Sequence, residues 1–146
     1  MSHFVNIVTQ IKDMKALINA LERMGFKDKI ECYEKPANLY GYQNDIRKDK
    51  AHVILRRKYV GSSSNDIGFE RGPNGLFVAH ISEFDQGTGQ YAGREGKYGK
   101  TWQDRLYTYY GVEKAKLEFE KQGYKLGKTY FEDVDDQERP RLRVKI

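Results

Sequence analysis

The chain has 146 residues, the usual length of one domain and enough to bury a core without disulfides or a structural metal. It is 38% hydrophobic and 32% charged, and its 11 tyrosines and 7 phenylalanines are too many for a disordered chain. Its net charge of +5 permits attraction to nucleic acid, anionic membranes or acidic proteins without choosing among them. We therefore predict a single α+β domain over residues 1–146.

The sequence also indicates where the protein resides. The first ten residues have neither the basic start nor the apolar centre of a signal peptide, and no run of 18 apolar residues occurs. Cys32 is the only cysteine, so the chain cannot form an internal disulfide. We expect an intracellular protein without membrane insertion, in cytoplasm or plastid stroma, or in a virion or infected cell if the source is viral.

The first half of the chain predicts a strand, a helix and four further strands. Residues 4–11 alternate as a strand does, and Asp13 precedes apolar residues at helical spacing that end at Gly25. A short strand around Cys32, which we expect to face the core, is followed by a loop over 36–44 that is rich in turn residues. An antiparallel meander follows, whose strands span 51–60, 66–71 and 76–84.

The second half predicts a glycine-rich flexible loop, a helix and a hairpin. The loop covers residues 86–100, and the helix runs from Thr101 to Gln122 with Gly123 as its stop. Segments 127–133 and 139–146 pair as the terminal hairpin. The full order is β-α-β-β-β-β-α-β-β, a mostly antiparallel sheet with two helices packed on one face.

No catalytic, cofactor-binding or metal site is predicted. The segment GREGKYGKT (93–101) resembles a phosphate-binding loop, but Arg94 stands where that loop requires glycine. The three histidines lack the spacing of metal ligands. Neither the serines of 62–64 nor Cys32 has an activating partner nearby in the sequence. We therefore expect no enzyme and no cofactor, and an unrecognised enzymatic site remains an alternative.

Two surfaces are candidates for binding. A basic strand face of Arg141, Arg143 and Lys145, with Arg56 and Lys58 as its candidate neighbours, could follow the phosphates of a nucleic acid. Its alternative role is to keep a strand edge soluble. A tyrosine-rich surface for a protein partner has the alternative role of core and boundary packing; it comprises Tyr40, Tyr42, Trp102, Tyr107 and Tyr110.

Several segments, in this order, resemble the hypothetical chloroplast reading frame thirty-five family, a domain of unknown function with plastid, cyanobacterial, bacterial and viral members. They are MSHFVNIVTQIKD (1–13), ALERMGF (20–26), LYGYQ (39–43), NDIGFERGPNGLFVAHI (65–81) and YGVEKAKLEFEKQGYKL (110–126). The resemblance carries over no activity, cofactor or site residue. Segment 80–100, where cyanobacterial members are expected to be rich in tryptophan, and the basic last strand suit a divergent member, with a viral origin among the alternatives.

These observations favour a non-enzymatic accessory or structural protein that binds other proteins through its tyrosine-rich surface. The partner would be a second copy, a host complex or a virion lattice. The alternative is a nucleic-acid-associated protein that uses the basic C-terminal strand, for which binding should weaken steeply with salt.

Overall fold

The computed structural model describes residues 2–145 and confirms the α+β class and the order of strands and long helices. The described chain forms seven strands and four α-helices, with a π-helical turn after α1 and a 3₁₀ turn after α3. In chain order they are β1 (Phe4–Val8), α1 (Met14–Leu21), the π turn (Glu22–Phe26), β2 (Ile30–Tyr40), β3 (Ile46–Leu55), α2 (Arg57–Val60), β4 (Ile67–Arg71), β5 (Phe77–Ser82), α3 (Glu83–Gln86), the 3₁₀ turn (Gly89–Tyr91), α4 (Lys100–Lys121), β6 (Tyr130–Val134) and β7 (Pro140–Val144).

The first helix forms as its sequence predicts. The Asp13 carboxylate accepts a hydrogen bond from the Ala16 amide at 3.1 Å, which caps the helix N-terminus. Gly25 takes a φ of 102°, a left-handed conformation that suits glycine and ends the helical stretch. Leu17 and Leu21 are fully buried, so the apolar stripe of α1 faces the core.

Helices α1 and α4 cover one face of a five-stranded antiparallel sheet. Its strand order is β1-β5-β4-β3-β2. The largest core cluster joins the two helices to β3, β4 and β5, and includes Leu17, Leu106, Leu55, Phe69 and Phe77. Burial of these side chains is the main force that holds the layers together.

The opposite face is covered by the distal half of the β2–β3 hairpin, which bends back over the sheet. A Cβ atom on Gly68 of β4 would lie 2.6 Å from the Cβ of Ala51 and 2.8 Å from a methyl carbon of Leu39. Arg47, near the hairpin turn, donates a hydrogen bond to the Ser2 carbonyl at 2.9 Å. The hairpin therefore crosses the sheet as far as the start of the chain, and β5 is covered on both faces.

The predicted boundaries of β2 and β3 are wrong. Strand β2 continues through Pro36 to Tyr40, because two shifts in register bend it and leave the proline outside the regular pairing. Strand β3 is Ile46–Leu55, and residues 57–60 form the short helix α2 instead of its end. Cys32 is exposed rather than buried, since it lies on an edge strand before the bend.

The C-terminal hairpin forms a separate two-stranded sheet that packs against α4 rather than extending the main sheet. Tyr130 is fully buried, with its ring 5.0 Å from that of Phe119. Arg23 and Lys116 both form ion pairs with Glu132 of β6, at 2.7 and 2.6 Å. These charges join the hairpin to both long helices.

Helix α4 begins one residue earlier than predicted, at Lys100, and runs without interruption through Gly111 to Lys121. Its N-cap is Gly99, which provides no side-chain cap, and Thr101 lies inside the first turn of the helix. The preceding loop is packed rather than loose, because Tyr98 is buried and its hydroxyl donates to the Val60 carbonyl at 2.8 Å.

Candidate functional site

The residues of the predicted basic surface lie in two separate parts of the fold, and three of the five form ion pairs with carboxylates. Arg56 follows the end of β3 and pairs with Asp66 and Glu31, both at 2.9 Å. Lys58 lies in α2, with its ammonium 4.9 Å from the centre of the Tyr59 ring. Neither residue belongs to the C-terminal hairpin, so Arg56 and Lys58 do not share a sheet with the predicted strand face of Arg141, Arg143 and Lys145.

The hairpin part of the basic surface does have the predicted alternation. Arg141 and Arg143 are exposed on the face opposite Leu142, but both pair with Asp133 of the neighbouring strand, at 2.7 and 3.1 Å. These contacts hold the pKa of Asp133 below its ordinary value, with the Arg141 hydrogen bond as the main cause. Lys145 is exposed. The face thus presents less free positive charge than its sequence indicates, and nucleic-acid binding there stays a prediction.

The residues of the predicted tyrosine surface also lie in separate places rather than on one surface. Trp102 is a core residue, 8% exposed, with its ring 5.0 Å from that of Tyr98, so its assignment to a partner surface is wrong. Tyr40 and Tyr42 lie at the β2–β3 turn; the amide of Tyr40 donates to Asp66 and that of Tyr42 to Asn65. They are separate from Tyr107 and Tyr110, which lie on α4.

Tyr107 and Tyr110 line a groove at the end of the edge strand β1. The groove has a volume of about 390 Å³, and its other lining residues are Val8, Thr9, Gln10 and Ile11. The Tyr110 hydroxyl accepts hydrogen bonds from the amides of Lys12 and Asp13, which fixes its ring. None of the six lining residues is charged, although 32% of the chain is.

The glycine-rich loop uses its own carboxylate where a phosphate-binding loop would hold phosphate. Glu95 accepts hydrogen bonds from the Thr101 amide at 2.8 Å and from the Thr101 hydroxyl at 3.0 Å. These bonds, the amide first, hold the pKa of Glu95 below its ordinary value. The N-terminus of α4 is therefore already occupied by an anion of the protein.

A larger pocket, about 550 Å³, lies between the serine turn that follows α2 and the loop that precedes α4. A volume of this size is typical of small-molecule sites. The pocket contains aromatic rings, serines, two cations and two carboxylates; its side-chain-bearing walls include Ser62, Ser63, Ser64, Phe84, Asp85, Tyr91, Arg94, Glu95, Lys97 and Tyr98.

Asp85 is the buried carboxylate of this pocket. It accepts hydrogen bonds from the hydroxyl of Ser64 at 2.5 Å and from that of Ser82 at 2.8 Å. Burial raises the pKa of Asp85 above its ordinary value of 3.8, although both hydroxyls act in the opposite direction. Asp85 thus ties β5 to the serine turn.

The raised pKa of Asp85 predicts a specific pH dependence of stability. The folded state binds the proton more tightly than the unfolded state, so the free energy of unfolding falls as pH rises from about 3.8 through the folded pKa. Asp85→Asn should remove this fall. Chemical denaturation at a series of pH values, wild type minus variant, measures it. Asp136→Asn, at an exposed turn residue, should leave the profile unchanged, and parallel profiles for wild type and Asp85→Asn would contradict the prediction.

The histidines and carboxylates form no ligand cluster in the part of the chain that the structure describes. His80 is buried, with its ring nitrogens 2.7 Å from the Asn6 side chain and 2.9 Å from Glu70. Within residues 2–145, no three His, Cys, Asp or Glu side chains gather as metal ligands would. Over the same residues, every helix is too short or too polar to cross a membrane.

Sequence reasoning missed the lining of the larger pocket. No pattern in the sequence marks Phe84 and Tyr91 as a site, and Arg94 stands out only as a departure from the phosphate-loop pattern. The glycines of this segment predict a flexible loop, and only the structure shows that a Cβ at position 87, 96 or 99 would collide with protein atoms.

Comparison of the chain with protein-family models, with curated proteins and with solved structures finds no match in any of the three. The resemblance to the hypothetical chloroplast reading frame thirty-five family accordingly stays a prediction, which rests on the segments quoted above.

Proposed function

We propose that this chain is a non-enzymatic structural or accessory protein that binds a second copy of itself along the β1 edge. The observation that carries this proposal is an uncharged edge strand, with outward-facing backbone groups, beside an uncharged groove lined by tyrosines. The proposal keeps the predicted protein-binding role but restricts the tyrosine surface to Tyr107 and Tyr110.

The backbone of β1 has hydrogen-bonding capacity to spare. The Thr9 amide donates to the Phe77 carbonyl at 3.1 Å, and the His3 carbonyl accepts from the Glu83 amide at 2.8 Å. Because bonded positions alternate along an antiparallel strand, the backbone groups of Phe4, Asn6 and Val8 point away from β5. An added strand could use all three.

The side chains around this edge have the composition of an interface. Val8 is 70% exposed and Tyr107 is 37% exposed, so both present apolar surface to solvent. Interface cores are depleted in charge and enriched in tyrosine. Strand β2, the opposite edge, instead carries Glu34 and Lys35, charges of the kind that protect an edge from pairing.

A second copy fits the edge because the sequence of β1 is nearly symmetric about its centre. In an antiparallel two-fold pairing, Phe4 lies opposite Val8 of the second copy, Val5 lies opposite its Ile7, and Asn6 lies opposite its equivalent. Apolar residues then face apolar residues, no like charges meet, and aromatic and β-branched pairs stabilise the ladder. The two five-stranded sheets become one continuous sheet.

Sedimentation velocity over a range of protein concentrations tests the proposal. The wild type should pass from a 17.1 kDa species to one of twice that mass as concentration rises. Val8→Lys places a lysine opposite Phe4 of the second copy and should weaken dimerisation by roughly tenfold or more, since a charge is desolvated on each side of the pairing. Val8 is so exposed that the monomer should remain folded, which circular dichroism checks.

The matched control is Val134→Lys, an identical change at a 58% exposed valine of the separate C-terminal hairpin. It should dimerise as the wild type does. A wild type that stays monomeric at every concentration, or equal behaviour of the two lysine variants, would overturn the proposal.

A further inference from the structure

We infer that the pocket between the serine turn and the glycine-rich loop binds a nucleoside phosphate, an anion that carries a planar base. This site is separate from the β1 edge and does not depend on the proposed dimer. The ligand could be a free mononucleotide or the phosphorylated end of a nucleic-acid strand, because both present a phosphate beside a base.

Two of the four charged side chains in the pocket are cations that lack an ion-pair partner within the described chain. Arg94 and Lys97 line it, and neither forms an ion pair with any carboxylate among residues 2–145. Glu95 is engaged by Thr101 at the start of α4, and the oxygens of Asp85 accept the hydroxyls of Ser64 and Ser82. The two carboxylates keep their charge but are held by these neutral donors, whereas Arg94 has no partner in the described part of the chain and the Lys97 ammonium lies only over the Tyr98 ring, 5.5 Å from its centre, so both cations can contact an anion.

Two serine hydroxyls are further hydrogen-bond donors in the lining of the pocket. Ser62 and Ser63 are exposed, and their hydroxyls have no hydrogen-bond partner within the described chain. The turn that holds them is fixed from behind, because the Arg57 side chain donates to the carbonyls of Ser62 and Ser64 at 2.8 and 3.0 Å. A fixed turn with free hydroxyls, in the same pocket as two cations, suits a phosphate group.

An aromatic pair adds a surface for a planar ring. Phe84 and Tyr91 both line the pocket, with ring centres 5.3 Å apart in an edge-to-face arrangement. Phe84 is 39% exposed, so its ring remains accessible. Nucleic-acid bases stack on aromatic rings of this kind without strong sequence preference. Phosphate and base would thus contact different residues of one cavity.

The pocket contains its own reporter for the binding experiment. Trp102 is the only tryptophan, and its ring contacts that of Tyr98, which lines the pocket. Titration with inorganic phosphate and with adenosine monophosphate should therefore change tryptophan fluorescence, and isothermal titration calorimetry gives the affinities. The mononucleotide should bind about tenfold more tightly than inorganic phosphate, the contribution of one stacked base.

Three variants separate the contributions. Arg94→Gln and Lys97→Gln should each weaken mononucleotide binding by about tenfold, the size of one charge-assisted hydrogen bond. Phe84→Leu should remove the advantage of the mononucleotide over phosphate. Lys48→Gln, an exposed cation on β3 that forms no ion pair within residues 2–145, changes net charge equally and should bind as the wild type does.

Oligonucleotides with and without a 5′-phosphate distinguish the two sources. Tighter binding of the phosphorylated oligonucleotide than of adenosine monophosphate identifies a strand end, and the reverse order identifies a free nucleotide. The inference is overturned if neither phosphate-bearing probe binds saturably, if the unphosphorylated oligonucleotide binds equally well, or if Lys48→Gln loses as much affinity as the pocket variants.

Discussion

Replacing Asp66 with asparagine should lower the free energy of unfolding by about 2–4 kcal/mol, because the change removes one of the two carboxylates that pair with Arg56 and leaves backbone amide donors without an acceptor. The Asp66 side chain is fully buried. It accepts the Tyr40 amide at 2.7 Å, the Arg57 amide at 2.7 Å and the Arg56 guanidinium at 2.9 Å. The amide of asparagine has a single acceptor oxygen and presents donors to the remaining groups.

Thermal and urea denaturation measure this effect. For a domain of this size, the loss corresponds to a melting temperature lower by on the order of 10 °C. Asp136→Asn is the matched control, because Asp136 is exposed at the hairpin turn and its carboxylate makes no hydrogen bond or ion pair within residues 2–145. Equal stability of the Asp66 and Asp136 variants would show that Asp66 does not hold the β2–β3 hairpin to β4.

Gly96→Ala should destabilise the glycine-rich loop and abolish nucleotide binding, although it adds only one methyl group. A Cβ on Gly96 would lie 2.7 Å from the carbonyl carbons of Asp85 and Gln86. The Gly96 amide donates to the Gln86 carbonyl at 3.0 Å, and the Tyr98 amide donates to the Asp85 carbonyl at 2.8 Å. These two bonds hold the loop against α3, so the loop cannot shift to make room for a methyl group unless they break. Overpacking of this kind costs about 1–3 kcal/mol.

The same substitution elsewhere should have the opposite effect. Gly111 lies inside α4 without a positive φ, and a Cβ added there would have no atom within 4 Å beyond its own helix, so Gly111→Ala should stabilise the protein by about 1 kcal/mol. Urea denaturation and the tryptophan fluorescence titration, run on both variants, compare them directly. A Gly96→Ala protein that is as stable as wild type and binds the mononucleotide normally would contradict the packed-loop description.

Local features of the fold are predictable because they depend on neighbours in the sequence. Asp13 caps α1 three residues before the amide that it accepts, and Gly25 adopts the left-handed conformation that ends the helical stretch. Successive residues of β5 point to opposite faces, so Phe77 lies in the core and His80 is buried on the other face. In each case the sequence pattern responsible for the feature spans only a few residues.

The predictions that fail depend on residues far apart in the chain. The sequence predicts Cys32 in the core, but β2 becomes an edge strand of the sheet and leaves Cys32 exposed before its bend. It predicts Trp102 on a surface, but the loop that carries Tyr98 covers it. Neither the bend nor the loop packing has a signature in a short window of sequence.

The sequence by itself determined the α+β class, the order of the strands and long helices, and the caps of α1, since hydrophobic periodicity and capping are local. Only the tertiary structure decided which strands lie at the edges of the sheet, which cations have an ion-pair partner and which loop lines a pocket. Asp66 accepts a hydrogen bond from Tyr40, 26 residues away in the sequence, and Arg47 donates one to Ser2, 45 residues away. Composition and local patterns do not predict contacts between residues so far apart. The candidate sites arise from contacts of this long-range kind.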